Sequence, residues 1–286
     1  METGKILVTG GNGQLGNALK HFFPEAEYVD LEEFNISNAT AYETKDWTNY
    51  KLIINAAAYT NVDGAETPEG RVISWQANAT ALGLIAKTAK ENDLTVVHVS
   101  SDYVFDGTKV PHKEDEPFSP LSVYGASKAA GDIAISTTKK HYILRTSWVV
   151  GKGKNFVKTM KELAEKGLKP SVVNDQLGRL TFAEDLAAAI NHLVSNNADY
   201  GTYNFTNEGS IVSWADIAKI VFEKTGHNPS DVTGVSTADY YSGKTGIAPR
   251  PLLSELDLSK IKSTGFQPNN WEKQLSDYIN ELLKEG

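Results

Sequence analysis

Tyr124 and Lys128 lie four residues apart, and their side chains are suited to proton transfer. Residues i and i+4 of a helix share one face. An isolated phenol has a pKa of about 10, and a nearby ammonium stabilises the phenolate, so the spacing predicts that Lys128 lowers the pKa of Tyr124. The same spacing also occurs in ordinary packing or ion pairs on helix surfaces, so the pair alone leaves both interpretations open.

A hydroxyl group lies earlier in the chain, at the end of an apolar segment. Ser100 and Ser101 follow residues 95–99, which have the composition of a buried strand. Ligands of open α/β sheets bind at the carboxyl ends of the strands, where the Ser101 hydroxyl can hydrogen-bond a substrate oxygen. Asp102 and Tyr103 come next and are predicted to lie beside the same substrate. This order of groups argues against a chance Tyr–Lys spacing.

A glycine-rich turn follows the first predicted strand and opens the first predicted helix. Residues 9–16 read Thr-Gly-Gly-Asn-Gly-Gln-Leu-Gly. Such a turn lets the backbone approach a pyrophosphate, and the helix N-terminus offers free N–H groups to it. The alternative is a plain tight turn. The residues predicted here to bind a dinucleotide are Gly10, Asn12, Gly13, Gln14, Leu15 and Gly16.

Asp30 ends the second predicted strand, about 20 residues beyond the turn. At that position a carboxylate accepts hydrogen bonds from the adenosine ribose hydroxyls. It normally favours NAD over NADP, because a 2′-phosphate would meet a negative charge. The choice is left open, and the predicted cofactor is NADPH or NADH.

The segments that must position these residues alternate between strand and helix. Apolar runs without alternation predict strands buried on both faces of a parallel sheet, at residues 5–9, 28–30, 52–55, 95–100 and 142–146. Helical periodicity predicts helices at residues 15–23, 74–92 and 124–139. Beyond Gly151 the same criteria predict helices at 156–166, 182–195, 213–226 and 271–284, with short strands at 171–173 and 203–206.

This order predicts an α/β protein, a doubly wound Rossmann-type parallel sheet with a smaller C-terminal α/β substrate-binding lobe. Residues 1–150 are assigned to the dinucleotide-binding domain, to which residues 182–200 return. Residues 151–181 and 201–286 are assigned to the substrate-binding lobe. A cleft between the two is the predicted site.

The composition excludes several classes of function. The 286 residues carry a net charge of −8, which does not suit nucleic acid or an anionic membrane surface. No apolar run is long enough to span a bilayer. The sequence has no cysteine, which rules out disulfides and thiolate metal sites and fits a reducing compartment, so the cytoplasm is the expected location. The expected partner is a small molecule.

The sequence resembles the extended short-chain dehydrogenase/reductase family, and within it the branch that reduces a keto group of a nucleotide-linked deoxysugar. The resemblance covers nearly the whole chain. The matching stretches are residues 13–16 (GQLG), 55–63 (NAAAYTNVD), 100–107 (SSDYVFDG), Tyr124 with Lys128, 145–148 (RTSW), 155–160 (NFVKTM), 173–176 (VNDQ), and Arg250-Pro251 with Ser254 and Leu256.

The resemblance implies roles for several residues. Ser101, Tyr124 and Lys128 would be the catalytic residues, and Asp102, Tyr103 and Trp148 would contact the sugar nucleotide. The cofactor would contact Asn35 and Ile36 beside the adenine, the segment Ala57, Ala58, Tyr59 and Thr60, and the Tyr124 and Lys128 side chains. Some members dimerise through a carboxylate-bound magnesium ion. No ligands for one are assigned here, and a monomer or a homodimer is expected.

Three positions depart from the family pattern. Asn35 stands where aspartate is usual, Leu180 where proline is usual, and Leu253 where asparagine is usual. The last two are predicted to lie in loops on the substrate side, so they bear on which sugar is bound.

Two alternatives remain. A 4,6-dehydratase would need a second carboxylate after Asp102, where this chain has Tyr103, and a 4-epimerase would read differently after Ser101. A non-catalytic NADP-binding regulatory subunit would not need the complete Ser101, Tyr124 and Lys128 set.

Among other residues, His98 is predicted to be a core residue with its hydrogen bonds satisfied. Trp75, Trp214 and Trp271 are predicted to pack, whereas Trp148 is predicted to face the cleft.

Overall fold

A six-stranded parallel sheet forms the centre of the computed structural model, which describes residues 4–284. The strands of the protein are β1 Lys5–Thr9, β2 Glu27–Val29, β3 Tyr50–Asn55, β4 Thr95–Ser101, β5 His141–Thr146, β6 Val149–Val150, β7 Ser171–Val173, β8 Leu177–Gly178, β9 Thr181–Phe182, β10 Gly201–Asn204, β11 Val212–Ser213 and β12 Thr233–Val235. The strand order of the central sheet is β10-β5-β4-β3-β1-β2, and every neighbouring pair is parallel. The predicted fold class is confirmed.

Helices cover both faces of this sheet and the C-terminal part. They are α1 Gln14–Phe22, α2 Ala39–Thr44, α3 Pro68–Trp75, α4 Ala81–Glu91, α5 Val123–Ser136, α6 Phe156–Glu165, α7 Ala183–Ser195, α8 Trp214–Lys224, α9 Thr237–Tyr241, α10 Ser259–Ser263 and α11 Trp271–Lys284. None of the helices within residues 4–284 is long and apolar enough to cross a membrane.

Successive strand residues point into two different hydrophobic cores. In β3, Ile53 packs into a core with α4, whereas its neighbour Ile54 packs into a core with α1 and α7. Val96 and Val97 of β4 divide in the same way. Because side chains alternate between the two faces of a strand, a run of apolar residues without alternation is what a sheet covered on both faces requires.

One predicted helix, residues 74–92, is interrupted in the structure. It begins earlier, at Pro68, where the Thr67 hydroxyl caps the Gly70 N–H at 3.0 Å. Residues 76–80 then form a wider turn of π-helix before α4 begins. π-turns inside helices often mark functional sites, and this one carries Asn78, which contacts the cleft loop described below.

The C-terminal part has a separate core, built from α6, α8 and α11 with Leu180 and Phe182. Three small two-stranded sheets, β7–β12, β8–β11 and β6–β9, connect its loops. Helix α8 is capped by Ser213, as predicted, and Asp216 completes the capping box.

The division into two lobes stays a prediction, with one correction at its boundary. Strand β10 was assigned to the substrate-binding lobe, and its bounds were predicted as 203–206. It pairs instead with β5 at the edge of the central sheet, with Gly201 opposite Tyr142. The predicted strand was placed too late in the chain because the most apolar residues of this segment are Tyr203 and Phe205. The backbone pairing with β5 begins earlier, at Gly201.

Candidate active site

A cleft of about 800 Å³ opens at the carboxyl ends of β1, β3, β4 and β5. This is the edge at which ligands of open parallel sheets bind. The predicted residues that line it are Gly10, Gly13, Gln14, Leu15, Asp30, Asn35, Ile36, Ala57, Ala58, Tyr59, Thr60, Ser101, Asp102, Tyr103, Tyr124, Lys128 and Trp148. Side chains from many parts of the chain therefore meet in one place.

Asn12 and Gly16 are the two predicted site residues outside this lining. The Asn12 backbone N–H donates to Asp30 Oδ2 at 3.1 Å, on the far side of the turn. A Cβ at Gly16 would lie 2.2 Å from the Gly10 carbonyl oxygen, so only glycine lets α1 pack against the turn. Both residues shape the turn.

The glycine-rich turn leaves the start of α1 open toward the cleft. Gly10 has φ of +72°, and a Cβ there would lie 2.7 Å from the Ala57 nitrogen. Gly13 precedes α1 and has no side chain to cap its first N–H groups. Nearby, the buried Gln14 Oε1 accepts no hydrogen bond. The open helix N-terminus, with free N–H groups and a positive dipole end, fits the pyrophosphate of a dinucleotide.

Asp30 faces the cleft but already holds backbone groups. Its Oδ2 accepts from Asn12 and its Oδ1 accepts from the Leu31 N–H at 2.9 Å. Each carboxylate oxygen has a second lone pair, so Asp30 can fix the turn and also accept from a ribose hydroxyl.

Helix α5 brings Tyr124 and Lys128 beneath the end of β4. The Ser122 hydroxyl caps the Gly125 N–H at 3.1 Å, and a Cβ at Gly125 would lie 2.2 Å from the Tyr103 carbonyl oxygen. The helix therefore packs closely on the loop after β4. Lys128 is almost fully buried, and its Nζ donates to the Val99 carbonyl at 2.7 Å.

Burial controls the protonation of this pair. It raises the pKa of Tyr124 to about 12, and a hydrogen bond with Ser101 only partly offsets it. Burial also lowers the pKa of Lys128 to about 8, against the opposing charge of Asp132. The prediction that Lys128 lowers the Tyr124 pKa is therefore wrong for the described chain, because loss of water raises this pKa and the group that opposes the rise is Ser101.

Ser101 and Asp102 form a buried pair beside Tyr124. The Ser101 hydroxyl donates to Asp102 Oδ1 at 3.0 Å and accepts from the Tyr103 N–H at 3.2 Å. Burial raises the pKa of Asp102 to about 6, and Ser254 and Ser101 act against it. The Tyr103 ring packs edge-on against Tyr124, with their centroids 5.4 Å apart.

A polar chain runs through the sheet beneath these residues. The Thr9 hydroxyl donates to Asn55 Oδ1 at 2.6 Å, and Asn55 Nδ2 contacts His98 Nδ1 at 3.0 Å. His98 lies in the core as predicted, yet its Nε2 has no hydrogen-bond partner and lies 3.8 Å from Asp132 Oδ1. Burial holds the pKa of His98 well below its ordinary value, so the imidazole is neutral.

Trp148 faces the cleft as predicted, and of the other three tryptophan predictions only the packing of Trp75 was wrong. Trp214 also lines the cleft and stacks on Trp148 with ring centroids 3.9 Å apart. Trp75 is 41% exposed, because it lies on the outer face of α3. Trp271 is buried in the C-terminal core and Trp214 packs against that core, as predicted for both.

Sequence reasoning missed the cleft residues that supply shape without reactive groups. Buried strand ends and apolar helix positions could have suggested some of them, whereas Trp214 gave no signal beyond its place at a helix start. The missed lining residues are Thr9, Leu31, Phe34, Ser37, Ala56, Val62, Ile73, Ala77, Val99, Ser100, Thr146, Ser147, Val149, Leu186 and Trp214.

Two of the three family departures lie away from the cleft. Asn35 lines it. Leu180 is fully buried in the C-terminal core, and Leu253 bridges to Leu177 and accepts from the His112 ring through its backbone oxygen. Neither leucine lines the cleft, and Leu180 packs in the C-terminal core, so the bearing of these two positions on the bound sugar stays a prediction.

A chain with this fold and this site is an oxidoreductase of the extended short-chain dehydrogenase/reductase class, as the sequence predicted. The family model "RmlD substrate binding domain" matches residues 4–284. The chain therefore belongs to this family.

Several similar proteins carry the name dTDP-4-dehydrorhamnose reductase. A dTDP-4-dehydrorhamnose reductase from Aggregatibacter actinomycetemcomitans is 38% identical, over 96% of this chain and 97% of its own. The solved structure of a dTDP-4-dehydrorhamnose reductase from Clostridium acetobutylicum aligns with a TM-score of 0.88 at 34% identity, covering 98% of this chain and 99% of its own. A Bacillus anthracis dTDP-4-dehydrorhamnose reductase in complex with NADP aligns with the same TM-score at 33% identity, with the same coverage.

No group of three or more His, Asp or Glu side chains suited to metal binding occurs within residues 4–284. The magnesium ion that the resemblance implied is supported by no other observation.

Proposed function

We propose that this chain reduces the C4 keto group of dTDP-4-dehydro-L-rhamnose to give dTDP-L-rhamnose, with NADPH or NADH as the reductant. The observation that carries the proposal is the meeting of Ser101, Tyr124 and Lys128 in the same cleft as an open glycine-rich turn. The near full-length similarity to dTDP-4-dehydrorhamnose reductases supports the choice of substrate.

The cofactor supplies a hydride to the carbonyl carbon when it is bound. Gly13, Gln14 and Leu15 would hold its pyrophosphate, Asp30 its adenosine ribose, and Asn35 and Ile36 its adenine. The segment 57–60 would lie along the remaining part of the cofactor. The NADP complex of the Bacillus anthracis relative supports NADPH, and Asp30 remains the argument for NADH.

Tyr124 acts as the general acid. Its raised pKa keeps the phenol protonated at neutral pH, so a proton is available for the oxygen that gains negative charge. The Ser101 hydroxyl, which donates to Asp102 without substrate, turns to donate to the same oxygen. Lys128 adds positive charge from below, held in place by the Val99 carbonyl.

The other proposed properties follow from this chemistry. The partner is a small-molecule nucleotide sugar, and the cysteine-free chain suits a cytoplasmic reaction. Whether the chain acts as a monomer or a homodimer stays a prediction.

A substrate panel tests the proposal. Purified protein is mixed with NADPH or NADH and each of several dTDP-linked 4-keto sugars, and the loss of dihydronicotinamide absorbance is followed. We expect the highest kcat/KM with dTDP-4-dehydro-L-rhamnose. Binding of the cofactor without turnover of any keto sugar would instead favour the regulatory subunit, and loss of water or inversion at C4 without net oxidation would favour a dehydratase or an epimerase.

A further inference from the structure

We infer that Trp214 is a positioning residue: it holds Trp148 in the orientation that contacts the sugar nucleotide, so that the two indoles act as one wall of the cleft. The inference rests on the proposed function for the identity of the ligand. The geometry of the pair stands independently of it.

Trp148 has an unusual backbone conformation. Its φ is +50°, in the left-handed region that non-glycine residues seldom adopt. The next residue, Val149, pairs with Thr181, and the Thr181 N–H donates to the Trp148 carbonyl at 3.1 Å. Residues in such conformations cluster at functional sites and persist where the surroundings hold them. Here the conformation directs a large aromatic side chain into the cleft.

Two contacts fix the Trp148 ring. The Trp214 ring stacks on it, with centroids 3.9 Å apart and 21° between the planes. A Cβ at Gly178 would lie only 3.1 Å from Cε2 and Cζ2 of Trp148, so a larger residue there would push the indole out of place. Phe156 in turn packs on Trp214 at 4.5 Å.

Trp214 is itself held by rigid elements. It is the first residue of α8, directly after the Ser213 cap and its capping box with Asp216. Strand β11, which ends at Ser213, pairs with β8, whose last residue is Gly178. The small sheet formed by β8 and β11 therefore positions both Trp214, which stacks on Trp148, and Gly178, which leaves room for the Trp148 ring.

This arrangement suits an apolar sugar face. Trp148 and Trp214 line the cleft that also contains Ser101 and Tyr124. Aromatic side chains supply large contact area with few rotatable bonds, and a fixed wall limits the orientations of a carbonyl relative to its proton donor. A shifted Trp148 would weaken binding of the sugar nucleotide while leaving the dinucleotide turn intact.

Kinetics of Trp214→Leu test this role, because leucine keeps an apolar side chain but cannot stack. We expect the KM for the keto-sugar nucleotide to rise about tenfold, with the KM for NADPH unchanged. Trp214→Phe retains a ring and should restore most of the affinity, leaving a rise of about twofold. Trp75→Leu is the matched control, a half-exposed tryptophan outside the cleft, and its KM values should equal those of the wild type.

Circular dichroism of the free protein tests the geometry without substrate. Two stacked indoles give an exciton couplet, which Trp214→Leu should abolish and Trp75→Leu should retain. An unchanged couplet, or equal rises in both KM values, would overturn the inference. If Trp214→Leu does not fold, Trp214→Phe decides, and an unchanged KM for the sugar nucleotide overturns the inference. Failure of the wild type to turn over any keto sugar would contradict the proposed function alone.

Discussion

At Tyr124, burial and the hydrogen bond with Ser101 shift the pKa of the phenol in opposite directions. Burial prevails and raises its pKa to about 12, while the same burial lowers that of Lys128 to about 8. For a reduction this is favourable, because the reaction needs a phenol that still carries its proton. In the proposed reaction, a buried tyrosine would therefore serve as the acid without the lowered pKa that the Tyr–Lys spacing suggested.

Replacing Tyr124 by phenylalanine removes the proton donor and keeps the ring. We expect kcat to fall about 100- to 10,000-fold, the usual contribution of a general acid, with cofactor binding largely intact. Steady-state kinetics and titration with NADPH measure the two effects. Tyr200→Phe makes the same change on the surface and should leave both unchanged. Near-normal turnover of Tyr124→Phe would remove the residue from this role.

The charge of the Lys128 ammonium should make kcat/KM depend on pH. Its pKa is lowered to about 8, so the positive charge is present below that pH and is lost as the pH rises through it. We therefore expect kcat/KM to decline above about pH 8. Lys128→Arg, whose guanidinium stays charged, should show lower activity without that decline. A wild-type profile that stays flat to about pH 10, the range of an unperturbed lysine, would refute the dependence on this charge.

At the level of elements, the interruption between α3 and α4 connects the fold to the site. Asn78 lies in the π-turn and bonds both backbone groups of Tyr59, accepting from its N–H at 2.9 Å and donating to its carbonyl at 3.0 Å. Its Nδ2 also contacts Ser127 on α5 at 3.1 Å. One side chain therefore ties the loop after β3 to the helix that carries Tyr124.

Asn78→Ala should loosen that loop. The part-buried N–H and carbonyl of Tyr59 would lose their partners, at a cost of about 1–3 kcal/mol in the free energy of unfolding, and the KM for NADPH should rise. Denaturant unfolding and kinetics measure the two. Asn92→Ala, which removes a single part-buried side-chain bond to the Thr88 carbonyl far from the cofactor loop, is the matched control, and the KM for NADPH should not change. Equal effects of the two variants would contradict a special role for Asn78.

At the level of the whole molecule, an ion pair joins the loop after β3 to the C-terminal part. Arg250 Nη2 lies 2.8 Å from Asp63 Oδ2, and Asp63 Oδ1 accepts from the Ala248 N–H at 3.0 Å. Burial opposes ionisation of Asp63, but these bonds outweigh it and lower its pKa. The Arg250 guanidinium also lies 5.0 Å from the Tyr241 ring, so the contact extends into α9.

The contribution of this pair should depend on pH. Because the folded-state pKa of Asp63 is lowered, its stabilisation is present above the unfolded value near 3.8 and is lost as the pH falls through the folded value. Asp63→Asn should reduce the free energy of unfolding by about 1 kcal/mol at pH 7, and by progressively less as the pH falls below the unfolded value near 3.8. Asp93→Asn, in a more exposed pair with Lys140, should have a smaller effect at pH 7. An effect of Asp63→Asn that does not depend on pH would refute the assignment.

Much of this molecule follows from local sequence. Non-alternating apolar runs predicted β1 with its observed bounds and the other four strands of the first half to within two residues, because burial on both faces demands that pattern. The glycine spacing and the order Ser101, Tyr124, Lys128 predicted which residues meet in the cleft. Most of the predicted helices ended within three residues of the predicted positions, since capping residues and periodicity are local signals.

Other features were decided by tertiary structure alone. The pairing of β10 with β5, the exposure of Trp75, the burial of Leu180 and the stacking of Trp214 on Trp148 each depend on residues distant in the sequence. The pKa of Tyr124 belongs to the same group, because spacing along a helix specifies a neighbouring charge but not how much water the fold removes. The sequence thus determined which chemical groups are present and in what order, whereas packing decided their solvation and their distant partners.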